Sequence, residues 1–173
     1  MFQNGRPGGC TLNSTSLFPP FPGCNPPSLP ESILNPITFT TDTGLVAACG
    51  GTTTTCLVLK NGVWQPDPRV PDLPWPARLL PTAVSVPGGV LVMGGQPDGS
   101  RQSRFNQQSS VLLRWGSSWE EGPRLLGKGA QHACSVSFGE SVFLIGGATE
   151  ERQVRELNTR TWEWEEKDMW PQL

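Results

Sequence analysis

Three times along the chain an apolar run closes on a pair of glycines, and a tryptophan follows at a short distance. The pairs are Gly50-Gly51 in LVAACGG, Gly94-Gly95 in VLVMGG and Gly146-Gly147 in VFLIGG, 44 and 52 residues apart. The tryptophans are Trp64, Trp119 and Trp162, lying 13, 24 and 15 residues beyond the second glycine of each pair. Two of these spacings nearly agree, so the middle one marks an insertion, residues 96–108, in an otherwise like module. A chain built this way must fold as a stack of similar units, each burying an apolar face against its neighbour.

Each unit divides into four short runs. The first reads ITFTT, GLVAACGG, TCLVL and VWQP, the second TAVSV, VLVMGG, SVLLRW and WEEG, the third ACSVSF, SVFLIGG, QVREL and WEWEE. The runs are β-branched, apolar and too short for helices, and they read as strands. Asn61-Gly62 and Gly116-Ser117 supply the positive backbone angles that tight hairpins demand. Twenty glycines and 18 prolines among 173 residues interrupt long helices, which excludes a helix bundle.

A period of about 40–50 residues is that of propeller blades. The expected fold is therefore all-β, with about three four-stranded antiparallel blades forming an incomplete ring. The blades lie at about residues 37–75, 76–123 and 124–171 of a segment 37–173. Residues 1–36, rich in Pro, Gly, Ser and Asn, read as an irregular leader. Paired glycines at the end of the second run let the backbone turn sharply and let neighbouring chain approach without a Cβ in the way. Trp64, Trp119 and Trp162 are expected early in the fourth strand, wedged between sheets, and we assign them to packing rather than to stacking on a sugar or base.

Thirteen Lys and Arg against 15 Asp and Glu leave a net charge of −2, and charged residues make up only 16% of the chain. The long-range field that draws proteins to nucleic acid or acidic lipid is missing. No apolar stretch approaches the ~20 residues of a membrane helix. With one histidine and no closely paired cysteines of zinc spacing, no metal site and no cofactor are expected. His132, two residues before Cys134, lacks an orienting acid nearby and reads as a channel-lining histidine. Among Glu150, Glu151, Glu163, Glu165, Glu166 and Asp168, the alternation in WEWEE sends acids outward and indoles inward. No catalytic residue is expected.

The order of apolar run, Gly-Gly, spacer, Trp and a Pro- or Arg-bearing link (PDLPWPAR, then EGPRLLGKGAQH) resembles the kelch repeat over about residues 37–171. That resemblance implies propeller blades. Arg78 matches the arginine before the next first strand of the repeat, and His132 resembles the polar residue that opens it. The middle unit departs from the pattern by its insertion, and Leu45, Leu91 and Phe143 replace the usual aromatic ahead of the glycines, which marks a divergent subtype. ACGGTTTTC further resembles kelch units of secreted invertebrate proteins, where the cysteine before Gly-Gly pairs with one opening the third strand. For this chain it implies a Cys49–Cys56 bridge, two buried free thiols being the other reading. Cys10 and Cys24 are candidates for a second bridge, with Cys134 left over.

The copper radical oxidases that share the kelch fold use tyrosine as ligand and radical, and this chain has no tyrosine. The resemblance thus implies a non-catalytic scaffold that binds another protein outside the cell. Arg101, Arg104 and Phe105 of the insertion are the partner-loop candidates. Asn13, in Asn-Ser-Thr, is a glycosylation candidate meaningful only in a secreted chain. The first residues show no secretory signal, which keeps a cytoplasmic alternative open. The alternatives to the scaffold are part of a kelch-fold enzyme or carbohydrate-binding domain whose active residues lie in other blades, and an intracellular filament-associated protein. Closed propellers hold about 4–8 blades, so three imply either a fragment or truncated form of a larger propeller or a homodimer completing a six-bladed ring.

Overall fold

The computed structural model describes residues 27–31, 33, 35–50, 53–74, 78–79, 81–97, 110–127, 129–147 and 153–167. Within them, short apolar runs separated by tight turns pair with their sequence neighbours, since antiparallel pairing is the nearest way to satisfy the backbone N–H and C=O groups. The first sheet contains β1 (Ile37–Thr40), β2 (Val46–Cys49), β3 (Cys56–Lys60) and β4 (Val63–Gln65), in that order. A short strand β5 (Arg78–Leu79) precedes the second sheet, which is built from β6 (Thr82–Val86), β7 (Gly89–Met93), β9 (Ser110–Arg114) and β10 (Trp119–Glu121). The third sheet is β11 (Cys134–Phe138), β12 (Ser141–Ile145), β13 (Val154–Asn158) and β14 (Glu163–Lys167).

The sequence did not announce β5, which pairs with β8 (Gln96–Pro97). This two-residue ladder clips the link ahead of the second sheet to the first residues of the insertion, setting Arg78 opposite Pro97. Among the described residues no helix is long and apolar enough to cross a membrane.

Residues opposed in an antiparallel ladder share a face, so register divides each sheet into two sides. One side of the first sheet carries Ile37, Phe39, Ala47, Cys49, Cys56 and Val58, and it packs on Val90, Val92, Val111 and Leu113 of the second, with Val70 and Leu73 of the link between them. The other side of the second sheet, with Val84, Leu91, Met93 and Leu112, packs on Val142, Leu144 and Leu157 of the third, with Leu125 and Ala130 from the next link. We call the face turned to the following sheet the forward face and its opposite the back face. Burying each of the Val, Leu, Ile, Phe and Met side chains among them contributes about 1.5–3 kcal/mol. No sheet here covers both of its own faces, so the stack is the core.

β1 runs beside β6 and β6 beside β11. The first strand of every sheet is thus innermost and the fourth outermost, and the three sheets are blades of an incomplete, propeller-like ring. Gly94 shows why glycine ends the second strand. Its φ of 65° lies in the left-handed region, and a Cβ there would overlap the carbonyl oxygen of Ala130, where the link into the third blade passes. That same carbonyl accepts the N–H of Gly95 at 2.7 Å.

Candidate binding face

Counting from the glycine pairs, the ladders align the blades residue by residue: Cys49 lies opposite Cys56, Met93 opposite Ser110 and Ile145 opposite Val154. Three residues further along the third strand stand Leu59, Leu113 and Leu157, facing Trp64, Trp119 and Trp164. The repeat tryptophan of the third blade is therefore Trp164, not Trp162. The hairpin before it lengthens by one residue per blade, so Trp164 lies seven residues beyond Leu157 where Trp64 lies five beyond Leu59. Trp162 occupies the last turn position with φ 59°. Its ring lies 5.4 Å from the Arg114 guanidinium carbon of the second blade, a cation–π contact across the seam. Trp162 and Trp164 differ by two residues, so both still pack against the second core.

The indoles do more than pack. Trp64 Nε1 donates to the carbonyl of Pro27 at 3.0 Å, and Trp119 Nε1 donates to that of Pro71 at 2.7 Å. Each fixes the outermost strand to the link running in ahead of its blade. Pro71 stands seven residues past Trp64, and the residue seven past Trp119 is Leu126. In the third blade a different group takes that carbonyl: Arg155 Nη1 donates to Leu126 O at 2.7 Å, and its Nη1 and Nη2 reach Gly129 O at 3.4 and 3.3 Å. The side chain is 0% exposed, at the position of Leu57 and Val111 in the other blades. Trp164 Nε1 is buried with no hydrogen-bond partner among the described residues.

The bridge between Cys49 and Cys56 is formed, joining opposed residues of β2 and β3 with Cα atoms 4.1 Å apart. Cys134 is a free, exposed thiol at the start of β11. His132 lies outside that strand, exposed, with φ 58°; Asn35, at the same place ahead of β1, has φ 52°. Both open their blade through a left-handed residue, a conformation asparagine and histidine tolerate better than most. Thr82 and Ser135 join the innermost strands of the second and third blades through their hydroxyls at 2.6 Å. In the first link Arg69 grips Asp67 through Nε at 3.0 Å and Nη2 at 2.7 Å, and this holds the Asp67 carboxyl down at about 2.

The forward face of the third blade is the open one. Phe138 is 81% exposed, Val136 50% and Ile145 42%. Their counterparts in the covered blades, Thr41 and Val86, Phe39 and Val84, Cys49 and Met93, are all buried. Charge occupies the outer half of this face. Lys167 Nζ lies 2.9 Å from Glu156 and 2.9 Å from Glu165, and Ser141 Oγ donates to Glu156. Lys167 first and Ser141 second hold the Glu156 carboxyl below its usual range, while the two carboxylates raise the Lys167 ammonium. Glu156 replaces Val58 and Leu112, so this face is apolar on its inner strands and ionic on its outer ones.

Among the described residues no three His, Cys, Asp or Glu side chains gather as a metal site. Gly146 and Gly147 close β12 as expected, with φ 66° and 123°. Cys10, Cys24, Asn13, Gly51, Arg101, Arg104, Phe105, Glu150, Glu151 and Asp168 lie outside the described residues. What sequence reasoning missed was Arg155, hidden in QVREL as one more polar residue of an alternating strand.

No family profile matches the chain, and no curated protein sequence matches it. Among solved structures 107 chains match. The structure of YjhT superposes with a TM-score of 0.67 at 14% identity, over 84% of this chain and 54% of that one. The chain thus spans about half the length of that neighbour. The likeness is one of fold, and it is to the propeller-like stack of three four-stranded blades described above.

Proposed function

We propose that this chain is a non-catalytic, kelch-type scaffold that binds another protein outside the cell. The observation that carries the reading is the stack itself: three blades packed face to face and tied by indoles and links, with a disulfide inside the first and a 13-residue insertion, 96–108, in the sequence of the middle one. Loops held on a stiff β frame are where such folds place recognition. The Cys49–Cys56 bridge supports an oxidising compartment.

The test has two arms. Titration of the denatured, unreduced protein should find one free thiol if Cys10 and Cys24 are also bridged, and three if they are not. Five free thiols would overturn the extracellular reading. A panel of extracellular protein domains should then contain one bound by the wild type and bound about tenfold more weakly by a chain carrying Arg101→Ala, Arg104→Ala and Phe105→Ala, a loss of about 1.4 kcal/mol. If the triple variant binds as well as the wild type, the loop assignment fails. A second reading, a carbohydrate-binding or enzymatic domain with its site in other blades, is favoured by one fact: about half of the matched neighbour's chain has no counterpart here. Binding to a glycan array in place of the protein panel would support it.

A further inference from the structure

Within the chain two forward faces are covered, each time by the back face of the following blade. The back faces share one chemistry. On the second strand of each blade the equivalent position is Val46, Val90 and Val142, opposed on the innermost strand by Thr40, Ser85 and Ser137. Val90 and Val142 are 0% exposed because a preceding blade lies on them, whereas Val46 is 44% exposed. The outer part of the first blade's back face already carries chain, Pro27 being held by Trp64 as Pro71 is held by Trp119 on the second blade. What stands open on the first blade is therefore its inner part, at Thr38 and Val46, whose counterparts on the covered back faces are less exposed. The part of the third blade's forward face that is apolar is also its inner part, at Val136, Phe138 and Ile145. The two open surfaces are the two halves of a seam that the chain builds twice internally. The match of the chain to 54% of a larger propeller-like neighbour leaves room for about as many blades again.

We propose that the third blade's forward face is covered by the first blade of a second copy of this chain, and reciprocally, so that two copies close head to tail into a ring of six blades. The contact is heterologous, and closure after two copies is what stops it from growing into a filament. Val136, Phe138 and Ile145 seat against Val46 and its threonine neighbours, while Glu156, Glu165 and Lys167 stay at the outer rim, where water keeps them solvated. None of this rests on the scaffold reading, since binding of a third protein at the loops is compatible with one copy or two.

The test is the solution mass of the full chain by light scattering after size exclusion, from about 1 to about 100 μM, a range wide enough for mass action to show. The expected mass is twice 18.8 kDa. Phe138→Asp and Val46→Asp, at exposed positions on opposite flanks, should each return the mass to 18.8 kDa while circular dichroism stays that of the wild type. An equimolar mixture of the two variants should regain doubled mass only at the upper end of the range, because it restores one seam with both halves wild type and leaves the other with aspartate facing aspartate. A wild type of single mass throughout the range overturns the proposal. So does a Val46→Asp chain that remains a dimer, which would mean two third blades meeting face to face, and so does a ladder of masses growing with concentration, which would mean an open filament.

Discussion

The two internal seams are built from one repeat and solve the same problem differently. In the first, the Trp119 indole of the incoming blade donates to Pro71 O, a disulfide joins the middle strands of the first blade, and the rest is apolar, with Phe39 and Trp115 in ring contact at 6.4 Å. In the second, the buried Arg155 takes the carbonyl of Leu126, and the Trp164 indole beside it has no described partner. Repetition therefore dictates backbone, register and which face is apolar. It does not dictate how the polar atoms between blades are satisfied, and two neighbouring seams can diverge there without any change of fold.

Removing Arg155 should break the second seam hardest. Arg155→Ala leaves Leu126 O and Gly129 O to find other donors and opens a cavity, so urea denaturation should show a loss of about 3–5 kcal/mol. Arg155→Leu restores the Leu57 pattern of the first blade, frees Leu126 O for Trp164, and should recover more than half of that loss. If the leucine variant is as unstable as the alanine one, the arginine is irreplaceable for a reason other than the carbonyls it holds.

The disulfide tests the first seam. Replacing Cys49 and Cys56 together by alanine should cost about 2–3 kcal/mol, mostly by releasing a constraint on the unfolded chain. Ser110 and Val154, which stand where Cys56 stands in the other blades, show that the position does not need sulfur to fold. An unchanged unfolding midpoint would mean that the bridge is not closed in the folded protein.

One substitution made in both seams sharpens the contrast. Trp119→Phe keeps a ring but deletes the donor to Pro71 O, and should cost about 1–2 kcal/mol. Trp164→Phe deletes an N–H that has no described acceptor, and should cost less than half as much. In an Arg155→Leu background the Trp164 substitution should become as costly as that at Trp119, a coupling that a double-mutant cycle measures directly. Equal costs in the wild-type background would erase the distinction between the seams.

These particulars explain what was legible. ITFTT, TAVSV and ACSVSF alternate or run apolar between Gly-rich turns, so strand, sheet and blade could be read without coordinates. The Cys49–Cys56 bridge was legible only through the resemblance of ACGGTTTTC to secreted kelch units, and the register that sets the two residues opposite one another decides it against free thiols. The third tryptophan was misplaced because WEWEE offers two indoles at the same parity, and only the pairing with Leu157 tells Trp164 from Trp162. Arg155 was invisible because burial of a charge depends on what the neighbouring link brings to it, here two carbonyls 29 and 26 residues away in sequence. The open face was half legible: the alternation in WEWEE sent Glu163 and Glu165 outward, as they stand, but nothing in QVREL said that Glu156 would join them there through Lys167.

The smallest effect is one of pH, and it falls on the first seam. Asp67 lies in the link between the first two blades, where its backbone bridges to the buried Val70. Its side chain accepts from Arg69 Nε, Nη2 and the Arg69 backbone N–H, and this lowers the carboxyl to about 2. A carboxyl whose value falls on folding adds stability that is complete above its unfolded value of 3.8 and disappears as the pH drops through about 2. Arg69 is more than a third exposed, so solvent screens the pair and the contribution is small. Asp67→Asn should therefore lower the thermal midpoint slightly at pH 7 and by the same amount at pH 5, and the difference from wild type should shrink as the pH falls from 4 through about 2 and close only below it. A gap that is as wide at pH 2 as at pH 5 would show that the Asp67 side chain holds the link by shape and neutral hydrogen bonding rather than by charge. The first seam would then owe none of its stability to the charge of this carboxyl.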